Sequence, residues 1–207
     1  MMQVHHLNNS RSQRILWLLE ELQAPYEIVN YKRDAETNLA PEALKKVHSL
    51  GKSPVITDKG KTIIESAAIT TYIVDQFAPT DFSPNQEEED YYEYLELMHY
   101  AEGSAMLPLL LLLYSRALGD NAAPLFKRIF SEISLHLGYL SDCLGDNEFF
   151  FRNKFSGVDT MISFVLEGAN ISGSLETFPN LVTALERYQA RPAYLKALEK
   201  GGEYKLG

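Results

Sequence analysis

The chain has 207 residues, 45% of them hydrophobic, enough for one large domain or two small ones whose core needs neither metal nor disulfide. Its single cysteine, Cys143, excludes an intramolecular disulfide and any two-thiol redox pair, and fits a reducing, cytoplasmic setting. The formal charge of −9 is uneven: residues 1–80 carry nine acidic and nine Lys/Arg residues, residues 81–207 nineteen and ten, and no basic patch is present to neutralise nucleic-acid phosphates.

The opening reads as a short strand, Gln3 to Leu7, then a polar turn and a helix over Ser12–Leu22 with Ile15, Leu18, Leu19 and Leu22 on its buried face. No basic leader followed by an apolar run precedes it, so a secretory signal is not expected. Tyr26 to Tyr31 has the bulk and β-branching of a second strand. A second helix is expected over Pro41–Val47, with proline tolerated in its first turn. Two brief strands, Pro54–Thr57 and Thr62–Ile64, flank a turn at Asp58–Lys61, where Lys59-Gly60 suits type I′ geometry poorly. A helix over Ser66–Phe77 completes a mixed α/β domain of residues 1–80.

Residues 81–86, with Asp81, Ser83 and Pro84, read as a linker. Residues 87–207 then lose strand character and form an all-α domain with helices near Glu87–Leu118, Ala123–Leu144, Val158–Ala169, Pro179–Arg187 and Pro192–Lys200. The first of these is expected to bend near Pro108. Its most apolar stretch, Leu107–Leu113, is seven residues long against the roughly 20 a membrane span needs, so a buried helix is expected and not a span.

Three junctions carry residue types that suit a binding site. At the first, Asn8-Asn9-Ser10-Arg11-Ser12, a helix N-terminus offers unpaired donors to a thiolate, and either Ser10 or Ser12 can donate a hydroxyl. Ser10 and Gln13 also have capping-box spacing, so helix initiation alone accounts equally well for Ser10. At the second, Lys52-Ser53-Pro54-Val55, an extended residue before proline exposes its backbone, although an ordinary turn has the same composition. At the third, Glu65-Ser66, a hydroxyl and helix-start donors suit a carboxylate and the acid suits an amine; a plain helix boundary is the alternative. The five histidines show no metal-ligand arrangement, so no metal is expected. Ser156-Gly157-Val158-Asp159 has capping-box form and is expected to play a structural role at a helix start.

The run His5-His6-Leu7-Asn8-Asn9-Ser10-Arg11-Ser12-Gln13-Arg14-Ile15-Leu16-Trp17-Leu18-Leu19-Glu20-Glu21-Leu22 resembles the opening of bacterial and fungal glutathione transferases. Ser53-Pro54-Val55 and Ile64-Glu65-Ser66 resemble that family's glutathione-binding elements in the same order, and the similarity extends into the helical part. The resemblance implies a thioredoxin-like N-terminal domain followed by a glutathione-transferase-like helical domain, with glutathione as co-substrate and a homodimer as the assembly. It also implies roles: Pro54 matches the family's cis proline, Ser53 or Val55 gives backbone contacts to the cysteinyl part, Glu65 and Ser66 address the γ-glutamyl end, and Lys52 the glycyl carboxylate. Ser10, ahead of Ser12, is the nearest match to the sulfur-contacting serine, and Met98, Glu102, Met106, Leu109, Leu110 and Tyr114 are candidates to border an acceptor pocket. The implied reaction is addition of the glutathione thiolate to a small hydrophobic electrophile. Glutathione-dependent peroxide reduction and a non-catalytic glutathione-binding module are the alternatives.

Overall fold

The computed structural model describes residues 1–206, which divide into two compact units: Met1–Phe82 together with the chain from Gln189 onward, and Ser83–Tyr188. In the first unit, strand β1 (Met2–Leu7) leads through helix α1 (Ser12–Glu21) to β2 (Tyr26–Tyr31), which lies parallel to β1. Parallel neighbours require a crossover, and α1 supplies it. Strand β3 (Val55–Asp58) runs antiparallel to β1, β4 (Lys61–Ile64) antiparallel to β3, and the sheet order is β2-β1-β3-β4. Helix α2 (Ser66–Phe77) follows. This is a thioredoxin-like domain, and Val4, Ile15, Leu18, Leu19, Ile56, Ile69 and Ile73 are sealed in its core.

Two local expectations change. The segment expected as a helix over Pro41–Val47 is a short 3-10 turn, Glu42–Lys46, because Leu44 is its only buried side chain and one apolar anchor cannot hold a longer helix. The β3–β4 hairpin does close with two residues at positive φ, Lys59 (48°) and Gly60 (76°), the type I′ combination that matches strand twist. Cross-strand pairing of Asp58 with Lys61 overrides the poor preference of Lys59 for that region.

The second unit is all-helical. It runs through α3 (Tyr91–Tyr100), a π-helical turn (Ala101–Ala105), α4 (Met106–Ser115), a 3-10 segment (Arg116–Ala122) broken at Gly119 (φ 52°), α5 (Ala123–Leu144), α6 (Gly157–Ile171) and α7 (Pro179–Gln189). The irregularity expected at Pro108 appears one turn earlier: a proline ring collides with the carbonyl four residues back, here Ser104, and the π-turn widens the helix there. The helical run Tyr91–Leu144 contains an 18-residue stretch of mean hydropathy 1.2, enough by length and composition to cross a membrane, of which 39% is buried within the protein. Helices of globular proteins share that composition, but Leu107–Leu113 is not the buried helix expected from sequence: Leu107, Leu111 and Leu113 are exposed, because only one face of α4, with Met106, Pro108 and Leu109, packs inward.

Helix α6 forms the centre of this unit and is buried from Gly157 through Glu167. The expected capping box starts it. The Ser156 hydroxyl accepts from the Val158 N–H, and the Asp159 carboxylate accepts from the Ser156 N–H (2.8 Å), the Phe150 N–H (3.1 Å) and the Tyr188 hydroxyl (2.7 Å). Burial pushes the Asp159 carboxyl up to about 6 against these hydrogen bonds. Met98, Met106 and Leu109 are core side chains of this unit, whereas Tyr114 is exposed.

Helix α8 (Pro192–Gly201) belongs to the first unit and packs on α1. This explains why α1 is buried almost all round, from Ser12 to Glu20. The Trp17 ring meets Tyr194 edge-on at 5.4 Å. The Glu20 carboxylate is buried between Lys196 (2.6 Å), Lys200 and the Tyr26 hydroxyl (2.6 Å). Burial alone would raise that carboxyl, but hydrogen bonds from the two lysines and the phenol outweigh it and hold it at about 2.

Candidate active site

Strand register decides what shares an edge. Leu7 pairs with Tyr31, His5 with Val55, and Val55 with Ile64. The end of β1, the start of β3 and the end of β4 therefore lie along one border of the sheet. That border carries all three junctions singled out in the sequence, Asn8–Ser12, Lys52–Val55 and Glu65–Ser66. With strands about 4.8 Å apart, β1 to β4 spans about 10 Å. A tripeptide at roughly 3.3 Å per residue is the same length.

At the first junction the two serines form a buried network. His6 Nε2 is 3.1 Å from the Gly201 carbonyl, which only accepts, so the neutral ring carries its proton there. Burial lowers the His6 pKa, although the Gly201 bond pulls the other way, and the ring is neutral at pH 7. Nδ1 is then the acceptor, and the Ser12 hydroxyl donates to it at 2.8 Å. Ser12 Oγ also accepts from the Leu7 N–H (3.2 Å). Ser10 Oγ lies 2.8 Å from both Ser12 Oγ and the Leu7 carbonyl, and accepts from the Ser12 N–H. Both hydroxyl protons are thus committed inside the protein, and Ser12 is fully buried.

Helix α1 begins without the expected capping box. Its boundary residue is Arg11, the Gln13 N–H bonds the Ser10 carbonyl, and the Gln13 side-chain amide is buried with neither polar atom paired. That amide lies against Gly201: a Cβ on Gly201 would stand 2.7 Å from Gln13 Oε1. Only a glycine lets the end of α8 approach this closely.

Arg33, just past β2, carries no signal in the sequence, and the parallel pairing brings it to the same turn. Its backbone N–H donates to Asn8 Oδ1 (2.8 Å), Nε to the Asn8 carbonyl (3.2 Å), Nη2 to the Asn9 carbonyl (3.1 Å) and Nη1 to the Asn38 carbonyl (3.0 Å). Asn9 has φ 52°, and its Oδ1 accepts from the Lys205 N–H at 2.6 Å.

At the second junction the Ser53–Pro54 peptide is cis and Pro54 is buried. The Ser53 hydroxyl donates to the His5 carbonyl at 2.8 Å, tying the segment to β1. Lys52 is exposed beside it. Val55 faces a paired strand on either side, His5 or Ile64, so its backbone groups belong to the sheet, while Ser53 lies ahead of the ladder.

At the third, Glu65 has φ 68° and ψ 123°, a conformation that costs a non-glycine residue about 1–3 kcal/mol. Its side chain is exposed. Ser66 opens α2, where the first N–H groups lack intrahelical acceptors. A strained acid followed by helix-start donors presents an acceptor and an anion site side by side. Among the described residues no cluster of His, Cys, Asp or Glu suits a metal.

Known proteins are similar to this chain in sequence and in fold. Residues 1–75 match the family model for the glutathione S-transferase N-terminal domain. Glutathione S-transferase 3 of Schizosaccharomyces pombe is 36% identical, with 97% of this chain and 88% of the relative covered. A glutathione S-transferase structure from Actinobacillus pleuropneumoniae superposes with a TM-score of 0.87 at 32% identity, covering 100% of this chain and 95% of the other. A sphingomonad glutathione S-transferase, complexed with glutathione, superposes with a TM-score of 0.78 at 25% identity over 97% and 98%. In sequence along nearly its whole length and in fold, this chain belongs to the glutathione S-transferase family.

Proposed function

We propose that the chain lays glutathione along the shared sheet border, holds it as a thiolate at the start of α1, and adds it to a small hydrophobic electrophile. The observation that carries this is the convergence of the three junctions on one edge about 10 Å long, the span of a tripeptide. Glu65 pairs with the γ-glutamyl amine, and Ser66 with the α2 N-terminus receives its carboxylate. Ser53 offers its backbone, beside Pro54, to the cysteinyl part, leaving Val55 to the sheet. Lys52 meets the glycyl carboxylate.

Sulfur then reaches the Asn9–Ser10 turn. A thiolate needs donors, and the hydroxyls of Ser10 and Ser12 already spend their protons inside. Ser10 acts through its backbone N–H, and Ser12 holds the turn. The chemistry is electrostatic stabilisation of a nucleophile that the co-substrate brings. The committed hydroxyls favour one second reading, a glutathione-binding protein with little turnover. A homodimer in the cytoplasm completes the proposal; the exposed apolar row Leu107, Leu111 and Tyr114 on α4 is a surface a second copy would cover.

Glutathione titration with ultraviolet detection of the thiolate, paired with turnover on unrelated electrophiles and organic peroxides, tests it. Thiolate formation with electrophile turnover is expected. Binding without turnover supports the second reading, turnover confined to peroxides replaces the transfer reaction, and failure of the folded protein to bind glutathione overturns both readings.

A further inference from the structure

We infer that Arg33 is the positioning residue that aims the sulfur-facing backbone donors, by gripping the carbonyls of Asn8 and Asn9. This rests on the glutathione-thiolate reading above. A trans peptide is planar and its C=O and N–H point in opposite directions. Nε holds the Asn8 carbonyl at 3.2 Å and Nη2 the Asn9 carbonyl at 3.1 Å. Each grip therefore turns the next N–H, that of Asn9 and that of Ser10, away from the guanidinium. Neither N–H has an acceptor among the described residues.

Two successive N–H groups turned outward at a residue in the left-handed region make a small anion-binding concavity, and Asn9 sits at φ 52°. The same guanidinium reaches the Asn38 carbonyl through Nη1, and the Arg33 N–H pins Asn8 Oδ1, so the arginine is itself held in place. The planar fork is what the geometry uses. A lysine offers a point charge at the same place but cannot hold two adjacent carbonyls in fixed directions while reaching a third. The guanidinium bonds to Asn8, Asn9 and Asn38 all end on backbone carbonyls, and the effect of Arg33 on the thiolate passes through the Asn9 and Ser10 amides.

The test compares Arg33→Lys and Arg33→Met with the unaltered protein by calorimetric glutathione affinity, by the thiol pKa of bound glutathione, and by urea stability. In both variants the bound thiol pKa is expected to rise by about one unit, equivalent to a tenfold loss of thiolate preference. S-methylglutathione, which presents no thiolate, is expected to bind within about threefold of its original affinity, because the other junctions are untouched. Lysine restoring the thiol pKa would overturn positioning in favour of charge alone. An unchanged pKa in either folded variant would also overturn it. Should Arg33→Met fail to fold, Arg33→Lys alone decides. If the unaltered protein does not ionise bound glutathione at all, the proposed function fails before Arg33 is tested.

Discussion

Replacing Ser12 with alanine separates chemistry from architecture at the α1 junction. The substitution removes one oxygen that accepts from the Leu7 N–H at 3.2 Å and donates to His6 Nδ1 at 2.8 Å, in a fully buried position. Both partners are left unpaired away from water, and each orphaned buried group costs about 1–3 kcal/mol. The void is a single atom and adds little. The expected loss is about 3 kcal/mol, which at a urea dependence of about 2–3 kcal/mol per molar moves the midpoint down by about 1 M. The assay is urea unfolding followed by Trp17 fluorescence, with glutathione thiol ionisation measured on the folded variant. Ionisation is expected to survive, because the Ser12 hydroxyl is spent on His6. A variant of unchanged stability that no longer ionises bound glutathione would refute the buried-network account and make Ser12 the sulfur contact.

Other perturbations have signs that follow from the same geometry. The Glu20 carboxyl, ordinarily near 4.5, stands at about 2 in the folded protein, so its contribution to stability is complete above pH 4.5 and is lost as pH falls toward 2. The contribution is about 3 kcal/mol, and Glu20→Gln is expected to flatten that part of the acid-unfolding curve; an unaltered curve would contradict it. Gln13→Met replaces a buried unpaired amide with a side chain of similar length, and a gain of about 1 kcal/mol in urea stability is expected while the glutathione affinity is kept. Glu65→Gly relieves the φ 68° strain but deletes the proposed amine partner. It is expected to raise the melting temperature by a few degrees and weaken glutathione about tenfold or more; tighter binding would exclude Glu65 from the site.

Much of the fold was legible because it is written in local patterns. The Tyr26–Tyr31 strand and the Ser66–Phe77 and Ala123–Leu144 helices have the same limits in sequence and structure, since β-branching, periodicity and helix-start residues are read from neighbours along the chain. Ser156 and Asp159 announced their capping box for the same reason. The 3-10 turn at Glu42–Lys46 and the positive φ of Lys59 departed from local preference because a single buried leucine and a two-residue hairpin set those conformations from outside.

The site divides the same way. The chain order of Asn8–Ser12, Ser53–Pro54 and Glu65–Ser66 was enough to resemble a family, because each junction is a local boundary between strand and helix or a turn at a proline. Register alone decided that they share a border, and parallel pairing of β2 with β1 brought Arg33 to Asn9 across 24 residues. Tertiary packing also brought α8 to α1, closing His6, Ser12 and Gly201 into one hydrogen-bonded network inside the protein. A sequence lists donors and acceptors, but which pairs exhaust one another depends on distances of about 3 Å between residues as many as 196 positions apart.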